Sequence, residues 1–66
     1  MGKMKDLMEQ RGLSINELAT LASVSRGTVR DLMNGTGNVG IVNILKIASV
    51  LDVPFQNLVD EYLNQV

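Results

Sequence analysis

The sequence predicts an all-α fold of five short helices. Apolar residues recur three and four positions apart, as at Met4, Leu7 and Met8, and no stretch shows the strict alternation of a β-strand. Glycine, serine or proline stands near each break in this pattern, where helices begin and end. A chain of 66 residues has room for one domain, so we expect residues 1–66 to form a single unit.

The first two helices are predicted on either side of Gly12. This glycine occupies the position where a helix ends in a left-handed residue, and Leu13 is the apolar residue that commonly follows. Ser14 and Glu17 form a capping-box pattern, which predicts a second helix over about residues 15–21. The residues expected to face the core from this helix are Leu18, Ala19 and Ala22.

A third helix is predicted over residues 26–34. Ser25 is its expected N-cap, and Gly35 stands at its C-terminal cap. At 100° per residue, one side of this helix is apolar. The residues on that side are Val29, Leu32 and Met33. Residues 36–40 are a loop by composition.

Two further helices are predicted after this loop. The fourth begins at Ile41, and its expected apolar stripe consists of Ile41, Ile44, Leu45, Ala48 and Leu51. Pro54 suits the start of a fifth helix over about residues 55–65. The apolar residues of this C-terminal helix are Phe55, Leu58, Val59, Tyr62, Leu63 and Val66.

The C-terminal helix carries more apolar residues than one stripe holds. In so small a domain one helix can bury only one stripe, so we expect a symmetric homodimer through this helix. The residues expected at the dimer interface are Val59, Tyr62, Leu63 and Val66. The alternative is that the C-terminal helix packs entirely within its own domain.

The composition excludes several classes of protein. Without cysteine the chain has no disulfide framework and no thiolate zinc site, and without histidine it lacks the commonest general base and metal ligand. Its acidic residues are scattered, so we expect no enzyme, no metal and no cofactor. The uncharged stretch 35–45 is too short to span a bilayer, and Asp6 interrupts the basic start before any apolar run. We therefore expect a cytoplasmic protein with no membrane partner.

The outward face of the third helix is short-chained and cationic. Arg26 lies at its N-terminal tip, and the residues opposite the apolar side are Gly27, Arg30, Asp31 and Asn34. Such a helix fits the major groove of DNA, where an arginine can donate two hydrogen bonds to one guanine. The competing interpretation is that both arginines are ordinary solvated charges.

Taken together, these segments resemble the Cro and lambda-repressor-like helix-turn-helix family, also called the XRE family. The resemblance covers nearly the whole chain and places the helix-turn-helix at about residues 15–33. The matching segments are Gly12-Leu13-Ser14, Asn16-Glu17-Leu18-Ala19, Val24-Ser25-Arg26-Gly27-Thr28-Val29, Asn34-Gly35, Leu45-Lys46-Ile47-Ala48 and Leu51-Asp52-Val53. The resemblance implies a compact five-helix domain that binds operator DNA, usually as a dimer, with its third helix in the major groove.

The resemblance also implies two sets of DNA-contacting residues. The residues expected on this ground to contact bases are Arg26, Gly27 and Asp31, and those expected to contact the DNA backbone are Ser14, Asn16, Ser25, Thr28, Thr36 and Asn38. From the outward face of the third helix we add Arg30 as a base contact, with a phosphate contact as its alternative, and Asn34 as a backbone contact. Several of these polar residues have an alternative role as ordinary helix caps and loop groups.

Two departures from the family pattern lie in and beside the second helix. Ile15 stands where the family often has a glutamine that binds phosphate, so we expect Ile15 to pack, with a thymine methyl contact as the alternative. Ser23 stands where the turn usually has glycine, because the backbone there tends to be left-handed. Serine at a left-handed position is expected to cost about 1 kcal/mol.

Two further departures concern charge. Family members commonly pair an arginine of the first helix with a glutamate near the end of the third, and Met8 and Met33 occupy both positions here. When both charges are replaced together by apolar residues, no unpaired charge remains, so the exchange can be neutral or favourable for stability. Asp31 on the DNA face either accepts a hydrogen bond from cytosine N4 or repels phosphate and so selects against some sequences. The alternative is a solvated acid without base contacts.

Charge is unevenly distributed along the chain. Six basic and seven acidic residues give a net charge of −1, which is low for a DNA-binding protein. Residues 1–46 hold six basic and four acidic residues, for +2, and residues 47–66 hold three acidic and no basic residues, for −3. Because electrostatic steering depends on the local field, the helix-turn-helix half retains a mildly basic surface.

The resemblance leads us to expect a sequence-specific, double-stranded DNA-binding regulator of bacterial or phage origin, acting as a homodimer. We expect repression by promoter occupancy and no small-molecule effector, because no effector domain fits in 66 residues. The alternative is a protein-interaction module on the same fold, such as an antitoxin or anti-repressor with little DNA binding. Salt dependence separates the two, because DNA affinity falls steeply with salt.

Overall fold

The computed structural model describes residues 3–64, which form five α-helices and no strand. The helices are α1 (Lys3–Gln10), α2 (Ile15–Ala22), α3 (Arg26–Asn34), α4 (Ile41–Leu51) and α5 (Phe55–Asn64). The predicted all-α fold is confirmed, and α2 and α3 agree with their predicted bounds to within one residue.

A single hydrophobic core lies between the helices. Its most deeply buried side chains include Met4 of α1, Leu18 of α2, Val29 of α3 and Ile47 of α4. The second helix packs against both α3 and α4, and α5 packs against the same pair of helices without a large contact with α2. The second and third helices are thus held against each other on a shared core.

Side-chain and backbone caps set the helix ends where the sequence predicted them. The hydroxyl of Ser14 accepts from the Glu17 backbone N–H at 3.1 Å, and the Glu17 carboxylate accepts from the Ser14 N–H at 3.0 Å. Ser23 ends α2 at φ 58° and ψ 44°, and Gly35 ends α3 at φ 69°. The predictions of a capping box, a left-handed serine and a glycine C-cap are therefore confirmed.

The predicted apolar stripe of α4 is wrong at two positions. Ile41 and Leu45 are 70% and 54% exposed, whereas Ile47, which lay outside the predicted stripe, is fully buried. The buried residues of α4 are Ile44, Ile47, Ala48 and Leu51. The predicted stripe and the observed one both fit helical spacing. Contacts with α2, α3 and α5 bury the stripe that contains Ile47.

The C-terminal helix turns most of its apolar surface inward. Leu58 is buried, and Phe55, Val59 and Tyr62 are partly buried against the core. Leu63 is 60% exposed, and the predicted interface residue Val66 lies outside the described residues.

No single helix within residues 3–64 is long and apolar enough to cross a membrane. The helices α4 and α5 pass the length and composition criteria only as a pair, and they are bent by 119° relative to each other.

Candidate nucleic-acid interface

The first turn of α3 is fixed by two hydroxyl groups. Ser25 Oγ accepts from the Thr28 backbone N–H at 3.1 Å, and the two hydroxyl oxygens lie 2.8 Å apart. This local network places Arg26 as the first residue of α3, with its side chain exposed. Ser25 and Thr28 therefore act as a cap in the free protein, in addition to the DNA backbone contacts predicted for them.

The outward face of α3 is open as the helical wheel predicted. Arg26, Gly27, Arg30 and Asn34 are exposed, and Asp31 is partly buried. A Cβ atom on Gly27 would meet only Ser25 Oγ, at 3.9 Å, so nothing in the domain occupies the space in front of this residue. Two cationic side chains thus lie beside an open position where another molecule can approach the backbone closely.

The two helices of the motif are linked by one polar contact. Arg26 Nη1 donates to Asn16 Oδ1 at 3.4 Å. Asn16 lies in the first turn of α2 and is also exposed. The structure therefore brings together a residue predicted to read bases and a residue predicted to contact the DNA backbone.

The first turn of α2 carries Glu17, a carboxylate whose pKa is lowered. Hydrogen bonds from the Ser14 backbone N–H and then from its hydroxyl lower the pKa of Glu17 below its ordinary value of 4.5. The ionised form is favoured because the carboxylate accepts these hydrogen bonds at the N-terminus of a helix. Ser14 is thus used as a cap, while its exposed position leaves it at the surface predicted to meet DNA.

Asp31 is turned toward the loop that follows α3. Its Oδ1 accepts from the Thr36 hydroxyl at 3.1 Å, and its backbone oxygen accepts from the Thr36 N–H at 3.0 Å. A Cβ atom on Gly37 would lie 2.6 Å from Asp31 Oδ2. The sequence-based alternatives for Asp31 were a base contact or a solvated acid, and this intramolecular role was missed. Nothing in the local pattern signals it, because the loop conformation decides it.

Tyr62 of α5 holds the same loop from the other side. Its hydroxyl donates to the Gly37 carbonyl at 2.7 Å and lies 3.3 Å from the Thr36 carbonyl. The same oxygen accepts from the Val39 N–H at 3.4 Å. Asn38, between these anchor points, is exposed. The sequence predicted Tyr62 at a dimer interface or in the core, and its contact with the loop was missed.

The family departures have structural counterparts. Ile15 is partly buried against the core, in agreement with the packing role expected for it. Met8 is buried, and Met33 is partly buried against the same core. Apolar packing thus occupies the places where the family commonly has an ion pair.

The comparisons with known proteins agree with this geometry. A family model described as helix-turn-helix matches residues 4–58. The uncharacterized HTH-type transcriptional regulator RghRB of Bacillus subtilis (strain 168) is 35% identical over 57 residues, which cover 85% of this chain and 41% of that protein. The chain therefore spans less than half the length of this relative. No solved structure matches the chain. Because the family model covers most of its length, the chain belongs to the helix-turn-helix family, in agreement with its Cro and lambda-repressor-like (XRE) sequence pattern.

Proposed function

We propose that this protein is a sequence-specific, double-stranded DNA-binding transcriptional regulator that inserts α3 into the major groove. The observation that carries the proposal is the outward face of α3, where Arg26 and Arg30 flank Gly27 and the space in front is open. The helix is nine residues long and starts with an exposed arginine. An arginine there is suited to donate to the O6 and N7 atoms of a guanine. The name of the Bacillus subtilis relative supports the regulatory assignment.

Phosphate contacts would come from both sides of α3. On one side lies the N-terminal turn of α2, with Ser14 and Asn16 exposed. On the other side lies the loop after α3, with Thr36 and Asn38 exposed. Helix N-termini and backbone N–H groups favour anions, so these elements supply positioning contacts without many cations. The remaining residues proposed for backbone contacts are Ser25, Thr28 and Asn34.

A homodimer would place two copies of α3 in successive major grooves of a palindromic site. The exposed Leu63 of α5 supports an interface on this helix. Val59 and Tyr62 would contribute only their outer edges, since both are partly buried in their own domain. Such a dimer on a promoter would act as a repressor by occupancy. A sedimentation measurement of the purified chain tests the dimer directly.

The test of DNA binding begins with selection from a random double-stranded library by the purified wild-type protein. The selected duplex is then titrated by fluorescence anisotropy with wild type, Arg26→Ala and Lys5→Ala. Lys5→Ala is the charge control, because Lys5 is an exposed cation on α1 outside the motif. We expect Arg26→Ala to weaken specific binding by about 1–3 kcal/mol. Equal affinities of Arg26→Ala and wild type would reject Arg26 as a base-reading residue.

A protein-interaction module is the second candidate function, favoured by one observation. The exposed side of α4 is apolar, with Ile41, Val42 and Leu45 all more than half exposed. Apolar surface of this kind is typical of protein contacts. If this function is the right one, no duplex is enriched by selection and any interaction of the chain persists at high salt. A DNA-binding protein instead loses affinity linearly with the logarithm of salt concentration.

A further inference from the structure

The loop between α3 and α4, residues 36–40, is held by side chains from two other elements. On the α3 side, the Thr36 hydroxyl donates to Asp31 Oδ1 at 3.1 Å. On the α5 side, the Tyr62 hydroxyl donates to the Gly37 carbonyl at 2.7 Å and accepts from the Val39 N–H at 3.4 Å. Tyr62 and Gly37 are 25 residues apart in sequence, so this contact is a tertiary one.

The Tyr62 hydroxyl is fully used by this loop. A phenolic hydroxyl has one proton to donate, and the short contact to Gly37 takes it, while the Val39 N–H occupies an acceptor site. Gly37 has φ 66°, which glycine adopts without strain. The hydrogen bonds of Tyr62 to Gly37 and Val39 hold the backbone on both sides of Asn38 and so restrain the conformation of the loop.

We propose that Tyr62 is a positioning residue for DNA binding, which orders the phosphate-contacting loop before DNA arrives. This inference rests on the proposed function, because it assigns the loop a role at the DNA backbone. A loop that contains two glycines loses conformational entropy when DNA orders it. Hydrogen bonds to Tyr62 confine the loop in the free protein, so less entropy remains to be lost on binding.

The same contact couples the C-terminal helix to the DNA-facing surface. Tyr62 is adjacent in sequence to Leu63, the exposed apolar residue of α5. A partner that changes the packing of α5 therefore acts on the residue that holds the loop. Tyr62 thus links the helix proposed for dimerisation with the loop proposed for phosphate contact.

The variant that tests this inference is Tyr62→Phe, which removes the hydroxyl and keeps the ring in the core. Gln56→Ala is the matched control, because it removes the Gln56 Nε2 to Asp60 Oδ1 hydrogen bond of 2.8 Å on the exposed face of the same helix. The readouts are amide hydrogen exchange of Val39 and anisotropy titrations of the selected duplex over a range of salt. Exchange reports the loop, and the salt slope reports the number of phosphates contacted.

We expect faster exchange at Val39 in Tyr62→Phe and a DNA affinity roughly fivefold lower, the effect of one lost hydrogen bond. The salt slope should match that of wild type, because Tyr62→Phe removes no cation and the loop carries none. Gln56→Ala should match wild type in all three readouts. Equal affinity of wild type and Tyr62→Phe for the duplex would overturn the inference. The inference would also be overturned if the Val39 amide of free wild type exchanged as fast as the exposed Asn38 amide. This measurement needs no variant, so it does not depend on whether Tyr62→Phe folds. If wild type itself binds no duplex, both the proposed function and this inference fail. If wild type binds and Tyr62→Phe binds equally well, only this inference fails.

Discussion

Arg26 Nη1 lies 3.4 Å from Asn16 Oδ1, which joins the first turn of α3 to the first turn of α2. The two residues are ten positions apart and both are exposed. The amide oxygen of Asn16, an uncharged acceptor, thus holds the Arg26 guanidinium beside the first turn of α2. DNA can replace that acceptor, because the contact is long at 3.4 Å and both side chains are exposed to water.

The first prediction concerns a charge introduced at this pair. Asn16→Asp should lower DNA affinity on the order of tenfold, because it binds Arg26 more strongly and repels phosphate. Folding stability should not fall, since an acidic residue in the first turn of α2 interacts favourably with the helix dipole. Anisotropy and thermal melts measure the two quantities.

The matched control for this variant is Asn57→Asp, the same chemical change at an exposed position in the first turn of α5. It should bind the duplex like wild type. If Asn57→Asp and Asn16→Asp weaken binding equally, the effect comes from net charge alone and the Arg26 pair has no special role.

The second prediction concerns the turn between α2 and α3. Ser23 has φ 58°, so Ser23→Gly should stabilise the domain by about 1 kcal/mol. In a domain of this size that corresponds to a rise in melting temperature of roughly 4–8 °C. Ser49→Gly on the exposed face of α4 is the control, and it should lower stability, because glycine is a poor residue inside a helix. A lower melting temperature for Ser23→Gly would contradict the account of the turn.

The third prediction separates backbone strain from crowding at Gly37. Gly12 and Gly37 have nearly equal φ values of 64° and 66°, but a Cβ meets nothing within 4 Å at Gly12 and lies 2.6 Å from Asp31 Oδ2 at Gly37. Gly12→Ala should therefore cost about 1 kcal/mol, and Gly37→Ala should cost more because Asp31 must leave Thr36. Urea unfolding of both variants measures the difference.

A double variant identifies the source of that difference. Thr36→Val removes the hydroxyl that donates to Asp31. Once Gly37→Ala has displaced Asp31, adding Thr36→Val should cost little further stability. Additive losses from the two changes would show that Asp31 stays in place and that the crowding is relieved elsewhere.

The fourth prediction is a pH dependence that arises at the α2 N-terminus. The pKa of Glu17 is lowered below 4.5 by the hydrogen bonds from Ser14. A carboxyl with a lowered folded-state pKa contributes stability that is complete above its ordinary pKa and is lost as pH falls through the lowered value. Glu17→Gln retains an oxygen that accepts from Ser14 but does not titrate. Its melting temperature should therefore fall less than that of wild type on acidification below pH 4.5, and parallel curves would contradict this.

Local patterns predicted the helix ends, because each cap depends on residues a few positions apart. Ser14 with Glu17 and Gly35 are examples, and both caps form as expected. The left-handed backbone at Ser23 was expected from the family resemblance, and it is present. The contact between Tyr62 and Gly37 was not predictable in this way, since it spans 25 residues and depends on how α5 packs against the loop.

In the candidate interface, the exposure of side chains on α3 was predictable from the sequence, but their contacts with the following loop were not. The helical wheel of α3 predicted that Arg26 and Arg30 are exposed, because the period of a helix is fixed. The wheel also placed Asp31 on the DNA face, whereas its carboxylate accepts from Thr36 in the following loop. In α4 two apolar stripes were possible, and only the packing of neighbouring helices selects the buried one.

The most direct test of major-groove reading by Arg26 uses 7-deazaguanine. Each guanine of the selected duplex is replaced by this base in turn, and binding of the protein is measured. This base lacks the N7 acceptor in the major groove and keeps normal pairing. We expect one guanine in each half-site at which the replacement costs wild type about 1–3 kcal/mol and costs Arg26→Ala nothing further. A duplex in which every replacement affects wild type and Arg26→Ala equally would contradict the claim that Arg26 reads a guanine from α3.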